Sequence, residues 1–232
     1  MALTKTLKSW PSRERPRERL FSQGVQSLSD AELIAILLGS GTKSKNVIDL
    51  ARDLIGNFKG LRGLFSTSPG ELETVRGLGP AKIATLAAVS ELTKRLLREE
   101  SRRKSFIDNP QSIVDYLYQS LRDQKKEYVA LILLNKAGEV LNDVTVASGS
   151  LDHVSIQPRD IVKVALDQHA ASIVLVHNHP SGSIDPSHAD RMMTQKVRHA
   201  CQTVDIPLID HLIIGDNRYF SFRENQLLEA VI

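Results

Sequence analysis

The chain has 232 residues, of which 41% are hydrophobic, 25% charged and only 5% aromatic. That is globular composition, with room for one large domain or two modest ones and few rings for recognition by stacking. Its single cysteine, Cys201, excludes an internal disulfide and a multi-cysteine zinc site, so a bound metal needs histidine and carboxylate ligands. The N-terminus shows no apolar signal segment and no apolar run approaches the ~18 residues of a membrane span. The reading is a reduced, cytoplasmic protein with no membrane partner. The net charge of +3 hides a split, because residues 1–107 hold 19 Lys/Arg against 11 Asp/Glu (+8) and residues 108–232 hold 11 against 16 (−5). A basic half joined to an acidic half suggests two domains with different partners. The basic half fits either a solvated surface or a face for a polyanion.

In chain order, residues 9–19 (SWPSRERPRER) are polar with two prolines and read as an extended basic arm, part of an arm spanning 1–20. Ser29, with Glu32 three residues on and an apolar run behind it, is a capping-box helix start; Gly39-Ser40-Gly41 ends that helix. In 47–55, Val47, Leu50, Ala51, Leu54 and Ile55 share one stripe and predict a second helix. Ser68-Pro69-Gly70-Glu71 opens a third, and a fourth runs from Pro80 through IATLAAVSELTKRLL. The charged stretch 97–106 (LREESRRKSF) is the best linker candidate, and the division is set at 1–104 and 105–232. After a helix over 111–121, the period changes. YVALILLN (128–135) and EVLNDVTVAS (139–148) read as a hairpin turned at Lys136-Ala137-Gly138. A helix follows over 159–170, then SIVLVH (172–177) as a buried central strand. A helix from about Ser187 to Cys201, strands over 206–215 and 219–222, and a short closing helix from Glu224 complete the chain. The fold class is therefore α/β, a mixed sheet with helices preceded by a small all-helical domain.

The sharpest chemical signal is HNHPSGSIDPSHAD at 177–190. His177 and His179 are two apart at a strand end, so both imidazoles can face one ion. Asp190 sits in the first turn of the next helix, and the intervening Gly/Pro loop can bring its carboxylate back toward them. Two histidines, one aspartate and a fourth position open to water form a catalytic zinc pattern, with one Zn²⁺ per chain. Ser187-x-x-Asp190 is also a capping box that helix stability alone would justify, and Ser187 can serve both purposes. No H-E-x-x-H occurs, and the cysteine count excludes the deaminase zinc set. His153, His169, His188, His199 and His211 show no ligand spacing; His211, in LIDHLIIG, either supports the site from behind or is a satisfied core histidine.

The string H-x-H, seven residues, S-x-x-D resembles the JAMM motif of MPN-domain metalloproteases at His177, His179, Ser187 and Asp190. Those enzymes carry an upstream glutamate at the start of a strand as general acid/base, and Glu127, immediately before YVALILL, fits it. Glu139 and Asp143 are rivals for that role. HNHPSG, PS-x-x-D, DHLIIG (210–215), GSLDHVSIQPRDIVKVAL (149–166) and SLSDAELIAILL together resemble the bacterial RadC family over about residues 10–230. That resemblance implies an MPN/JAB-like C-terminal sheet flanked by helices, and its label implies DNA repair. Gly77-Leu78-Gly79-Pro80-Ala81-Lys82 resembles the turn of helix-hairpin-helix modules. There, backbone N–H groups at a helix start and the Lys82 cation would bind phosphate without reading bases; a plain helix–helix turn is the alternative. The sequence thus reads as a zinc-dependent hydrolase of the JAMM type, a metallopeptidase or isopeptidase, in which Glu127 shuttles the proton and Ser187 steadies the tetrahedral oxyanion. The alternative is a DNA-associated repair or recombination protein whose metal domain is regulatory or structural.

Overall fold

The computed structural model describes residues 9–102, 105–106, 109–149 and 156–228. The chain divides into two compact units, Met1–Thr93 and Lys94–Ile232. The first is helical: α1 (Pro16–Gln23), α2 (Asp30–Leu38), α3 (Val47–Asn57), α4 (Leu61–Ser66), α5 (Pro69–Glu73) and the greater part of α6 (Pro80–Arg102). The capping box read at Ser29 forms, and Ser68, read as the start of a helix, makes a second one. Ser29 accepts from the Glu32 amide while the Glu32 carboxylate returns to Ser29, and Ser68 and Glu71 repeat the pattern. The apolar stripe of α3 is buried, with Ala51 and Leu54 fully enclosed, and packs with Ile34, Leu38, Leu64, Leu72 and Leu86.

Two expectations in this half are corrected. The supposed extended arm is a 3₁₀ turn (Ser12–Glu14) followed by α1. Pro16 occupies the first helical position, where a missing N–H costs nothing. Arg15 Nε donates to the Trp10 carbonyl at 3.0 Å and Arg19 Nη2 to the Ser27 carbonyl at 2.6 Å, so these arginines are engaged within the fold. The supposed linker is helical through Arg102. Arg98 reaches Asp143 at 2.5 Å and Asn142 at 3.1 Å, and Arg102 reaches Asn142 at 2.9 Å, so its charges are tied down within the second unit.

The second unit is α/β, as read from the sequence. Its sheet comprises β1 (Glu127–Leu134), β2 (Val140–Gly149), β3 (Ser172–Asn178), β4 (Leu208–Ile214) and β5 (Tyr219–Ser221), in the order β2-β1-β3-β4-β5. Only the β3–β4 pair is parallel; the others are antiparallel, so the sheet is mixed. The central β3 is buried at every residue, which is why Ile173–Val176 is a continuous apolar run. Period-two alternation then assigns each residue a side. Val129, Leu131, Leu133, Ile173, Leu175 and Ile213 face α8 (Pro158–Asp167) and α9 (His188–Gln202) through Ile161, Ala165, Val197 and Cys201. Ile132, Leu134, Val174, Val176, Leu212 and Ile214 face α7 (Pro110–Leu121) through Ile113, Val114 and Leu117. At about 1.5–3 kcal/mol for each such side chain removed from water, burial on both faces is the main stabilising term.

The closing helix expected from Glu224 is not formed over its described part. Residues 222–228 make turns, with Gln226 at φ 58°; the rest of that expectation lies outside the described residues. Among those residues, no helix is long and apolar enough to cross a membrane.

Candidate metal centre

The side of the sheet a residue faces decides the site. His177 pairs with Val129 across β3 and β1 and shares its α9-facing side; Glu127, two residues before Val129 on β1, lies on that same side. His179 follows the end of β3, its amide donating to the Ile214 carbonyl at 3.1 Å. The loop beyond it folds back tightly. The Gly182 amide donates to the His179 carbonyl at 2.9 Å, and the Asp216 amide donates to the Gly182 carbonyl at 3.1 Å. Only glycine fits at 215, since a Cβ there would lie 2.5 Å from Ile184 Cγ2 and 2.6 Å from the Gly182 carbonyl oxygen. This close approach lets the loop deliver Ser187 and α9 to the strand ends.

At the start of α9, Asp190 divides its carboxylate between two tasks. Oδ2 accepts from the Ser187 amide at 2.7 Å and the Ser187 hydroxyl at 2.6 Å, while Ser187 Oγ accepts from the Asp190 amide at 3.1 Å. That is the capping box. Oδ1 is buried and has no hydrogen-bond partner, although His177 Nε2 stands 3.2 Å away. His179 Nε2 lies 2.9 Å from His177 Nε2 and 3.6 Å from Asp190 Oδ2. One ligand atom from each of His177, His179 and Asp190 lies within 4.8 Å of the other two.

The hydrogen bonds behind the imidazoles fix which nitrogens are bare. His179 Nδ1 lies 3.0 Å from the Ser183 carbonyl, which only accepts, so Nδ1 carries the proton and Nε2 is free in the neutral ring. His177 Nδ1 lies 2.8 Å from His211 Nε2, and His211 Nδ1 lies 2.6 Å from Thr194 Oγ1. The bare Nε2 of neutral His179, Nε2 of His177 and an orphaned carboxylate oxygen therefore converge. Such a set calls for a cation, either a proton or a metal ion, and a two-His, one-carboxylate set fits a first-row divalent metal.

The electrostatics agree. The Asp190 carboxylate beside His179 pushes that imidazole above its usual value, with burial opposing and Glu127 adding to the push. Burial alone would raise the Asp190 carboxyl, but the two imidazoles and the Ser187 hydroxyl outweigh it, and the group lies well below the usual carboxylate range. His211, completely buried, is held well below an ordinary histidine and stays neutral.

Asn178, between the two histidines and fully buried, was not singled out by the sequence. Its Oδ1 accepts from the Tyr128 amide at 2.8 Å and its Nδ2 donates to the Lys126 carbonyl at 3.1 Å. It thus grips the backbone on both sides of Glu127. The rival carboxylates lie elsewhere. Glu139 is at the far end of β1, bonded to Asn135 at 2.7 Å; Asp143 pairs with Ile132 and bonds Tyr116 on the α7 side at 2.7 Å. His169, His188 and His199 are exposed and apart from the cluster, and His153 lies outside the described residues.

In the helical unit, Gly77 sits at φ 101° with Thr42 Cγ2 2.5 Å from where a Cβ would be. The turn therefore requires glycine for packing as well as conformation. Gly79 immediately precedes α6, its carbonyl accepting from the Lys82 and Ile83 amides at 3.0 and 3.2 Å. Lys82 Nζ donates to the Gly41 and Gly77 carbonyls at 3.2 and 3.1 Å, so its cation is directed into its own fold.

A mixed five-stranded sheet with a His-His-Asp cluster at the end of its central strand, behind a helical N-terminal region, defines a JAB-domain protein. A RadC-like JAB domain model matches residues 107–227 and a UPF0758 N-terminal model residues 7–84. The chain is 42% identical over 218 residues to the UPF0758 protein of Shewanella loihica, covering 94% of this chain and 97% of that one. It is 43% identical over 219 residues to that of Pseudomonas fluorescens, covering 94% and 98%. The chain belongs to the UPF0758 (RadC) family.

Proposed function

We propose that the chain is a zinc-dependent hydrolase of the JAMM type, acting on a peptide or isopeptide bond. The observation that carries this reading is the convergence of His177 Nε2, His179 Nε2 and the partnerless Asp190 Oδ1. Zn²⁺ held by His177, His179 and Asp190 would supply Lewis acidity at an open position and make water a nucleophile near neutral pH. Glu127, on the same side of the sheet and close enough to act on His179, takes the proton of the attacking water and passes it to the leaving amine. Asn178 holds the strand start that presents it. Ser187 keeps Asp190 oriented, since its hydroxyl proton is committed to Oδ2 at 2.6 Å. To steady an oxyanion it would first have to leave that bond.

The purified protein is expected to carry about one Zn²⁺ per chain, and a His177→Ala, His179→Ala double variant to carry none. Glu127→Gln should keep the metal and lose hydrolysis of isopeptide-linked peptides by at least ~10²-fold. Full metal retention in the double variant refutes the site; wild-type turnover in Glu127→Gln refutes the proton carrier.

A second reading, contact with nucleic acid through the N-terminal half, is favoured by the +8 charge of residues 1–107. With Lys82, Arg15 and Arg19 engaged internally, it would rest on helix-start amides near Gly77 and Gly79 and on the remaining cations. Full-length protein should then bind duplex DNA without sequence preference, with affinity falling steeply as salt rises. No binding at low salt ends that reading.

A further inference from the structure

We propose that Thr194 and His211 are positioning residues that fix the tautomer of His177, so that its Nε2 is bare and aimed at the metal. The inference rests on the metal centre proposed above and adds two residues from outside the ligand set.

The argument is a count of protons along a chain of contacts. Thr194 Oγ1 lies 2.6 Å from the Asp190 backbone carbonyl, one turn earlier on α9. A carbonyl only accepts, so the single hydroxyl proton is used there. The contact between Thr194 Oγ1 and His211 Nδ1, also 2.6 Å, can then be filled only by an N–H of His211. Each His211 nitrogen meets a neutral atom, with no carboxylate touching the ring, and the residue is fully buried. A neutral ring protonated on Nδ1 has a bare Nε2. That Nε2 stands 2.8 Å from His177 Nδ1 and accepts its proton, which leaves His177 Nε2 bare, 3.2 Å from Asp190 Oδ1. Reversing any proton would set two donors or two acceptors face to face.

The chain is also rigid. His211 sits in β4 opposite Leu175, two residues before His177 on β3, so the sheet register sets the spacing of the two rings. Phe222 stacks on His211 at 4.6 Å between centroids and 19° between planes. The far end of the relay is the backbone of Asp190, whose side chain is itself a ligand candidate. A shift of α9 would therefore disturb the carboxylate and the His177 tautomer together. Histidine ligands generally need such a partner on the distal nitrogen, and its loss costs metal affinity roughly 10–100-fold.

Two measurements on the full-length protein test this. In the metal-free wild type, ¹⁵N–¹H correlation of the imidazole nitrogens should show both His211 and His177 with a proton on Nδ1 and His177 without one on Nε2. Zn²⁺ affinity, measured by chelator competition, should fall roughly 10–100-fold in His211→Phe, which keeps a ring but has no acceptor. It should recover most of the loss in His211→Gln, whose amide can accept from His177 and donate to Thr194. A proton on His177 Nε2 in the metal-free protein overturns the relay even if neither variant folds. So does wild-type affinity in a His211→Phe protein with a cooperative melt. Wild-type protein that takes up no Zn²⁺ refutes the metal centre instead, and the tautomers then decide the relay alone.

Discussion

Replacing Asn178 with alanine isolates the link between the histidine-bearing strand and Glu127. The side chain is fully buried and makes two bonds, accepting the Tyr128 amide at 2.8 Å and donating to the Lys126 carbonyl at 3.1 Å. Truncation leaves the half-buried Tyr128 amide without that acceptor, a cost of about 1–3 kcal/mol. Lys126 is exposed, so water can rescue its carbonyl, and only the net value of an ordinary hydrogen bond, about 0.5–1.5 kcal/mol, is lost there. The sum is about 1.5–4.5 kcal/mol. At roughly 2–4 °C per kcal/mol for a chain of this size, Tm should drop by about 3–18 °C. Hydrogen exchange locates the effect: the Tyr128 amide should lose protection while amides of α9 keep theirs. Zn²⁺ affinity should change far less than hydrolysis, because the perturbed backbone carries Glu127 and no ligand. An unchanged Tm with a protected Tyr128 amide would refute the reasoning.

The remaining predictions concern protons and burial. His179 is pushed up by its contact with Asp190. In the metal-free protein that pair stabilises fully below the ordinary histidine value and its contribution is lost as pH rises through the raised one. A metal must displace this proton, so Zn²⁺ affinity should increase, with proton release, as pH rises through the raised histidine value; chelator competition across a pH series checks it, and a flat profile contradicts it. Asp190, held low, should stabilise above the ordinary carboxylate range and give way only as pH falls below it, so Asp190→Asn should flatten the acid limb of a melting series. Cys201 is fully buried and its thiol is pushed up to about 11 by burial, so alkylation should track global unfolding in denaturant.

What was legible in the sequence was what local physics dictates. Ser29, Ser68 and Ser187 announce helix starts, and each forms a capping box, because the reciprocal bonds involve residues only three apart. The apolar run Ile173–Val176 in β3 and the change of period after residue 127 mark the sheet, since burial on both faces and the pleat each leave a local pattern. His177, His179 and Asp190 are joined by one strand end, one tight loop and one helix turn, so their convergence needs little information from elsewhere in the chain. The α1 helix was hidden by its charge: PRERLFSQ has almost no apolar stripe, and its side-chain bonds to Ser27 and Glu32 come from outside the segment. The charged stretch ending α6 failed as a linker likewise, because Arg98 and Arg102 find partners some forty residues on.

The sequence offered His211 as a support for the site or a core histidine, but the contacts it makes were hidden by distance. His211 stands 34 residues from His177 and 17 from Thr194, and no period connects them; only the parallel pairing of β3 with β4, closed by α9, places them in line. The DHLIIG segment serves several ends at once. Asp210 accepts the His211 and Arg223 amides and the Ser221 hydroxyl, at 2.7, 2.9 and 2.5 Å, and so ties β5 and the turn after it to β4. His211 faces the histidine cluster, and Gly215 makes room for the loop that carries Ser187. One strand thus supports the site through a carboxylate that never approaches the ligands, an imidazole that touches one of them, and a residue whose contribution is the absence of a side chain. A search by ligand spacing passes over all three, because none of them stands at ligand spacing from His177 or His179.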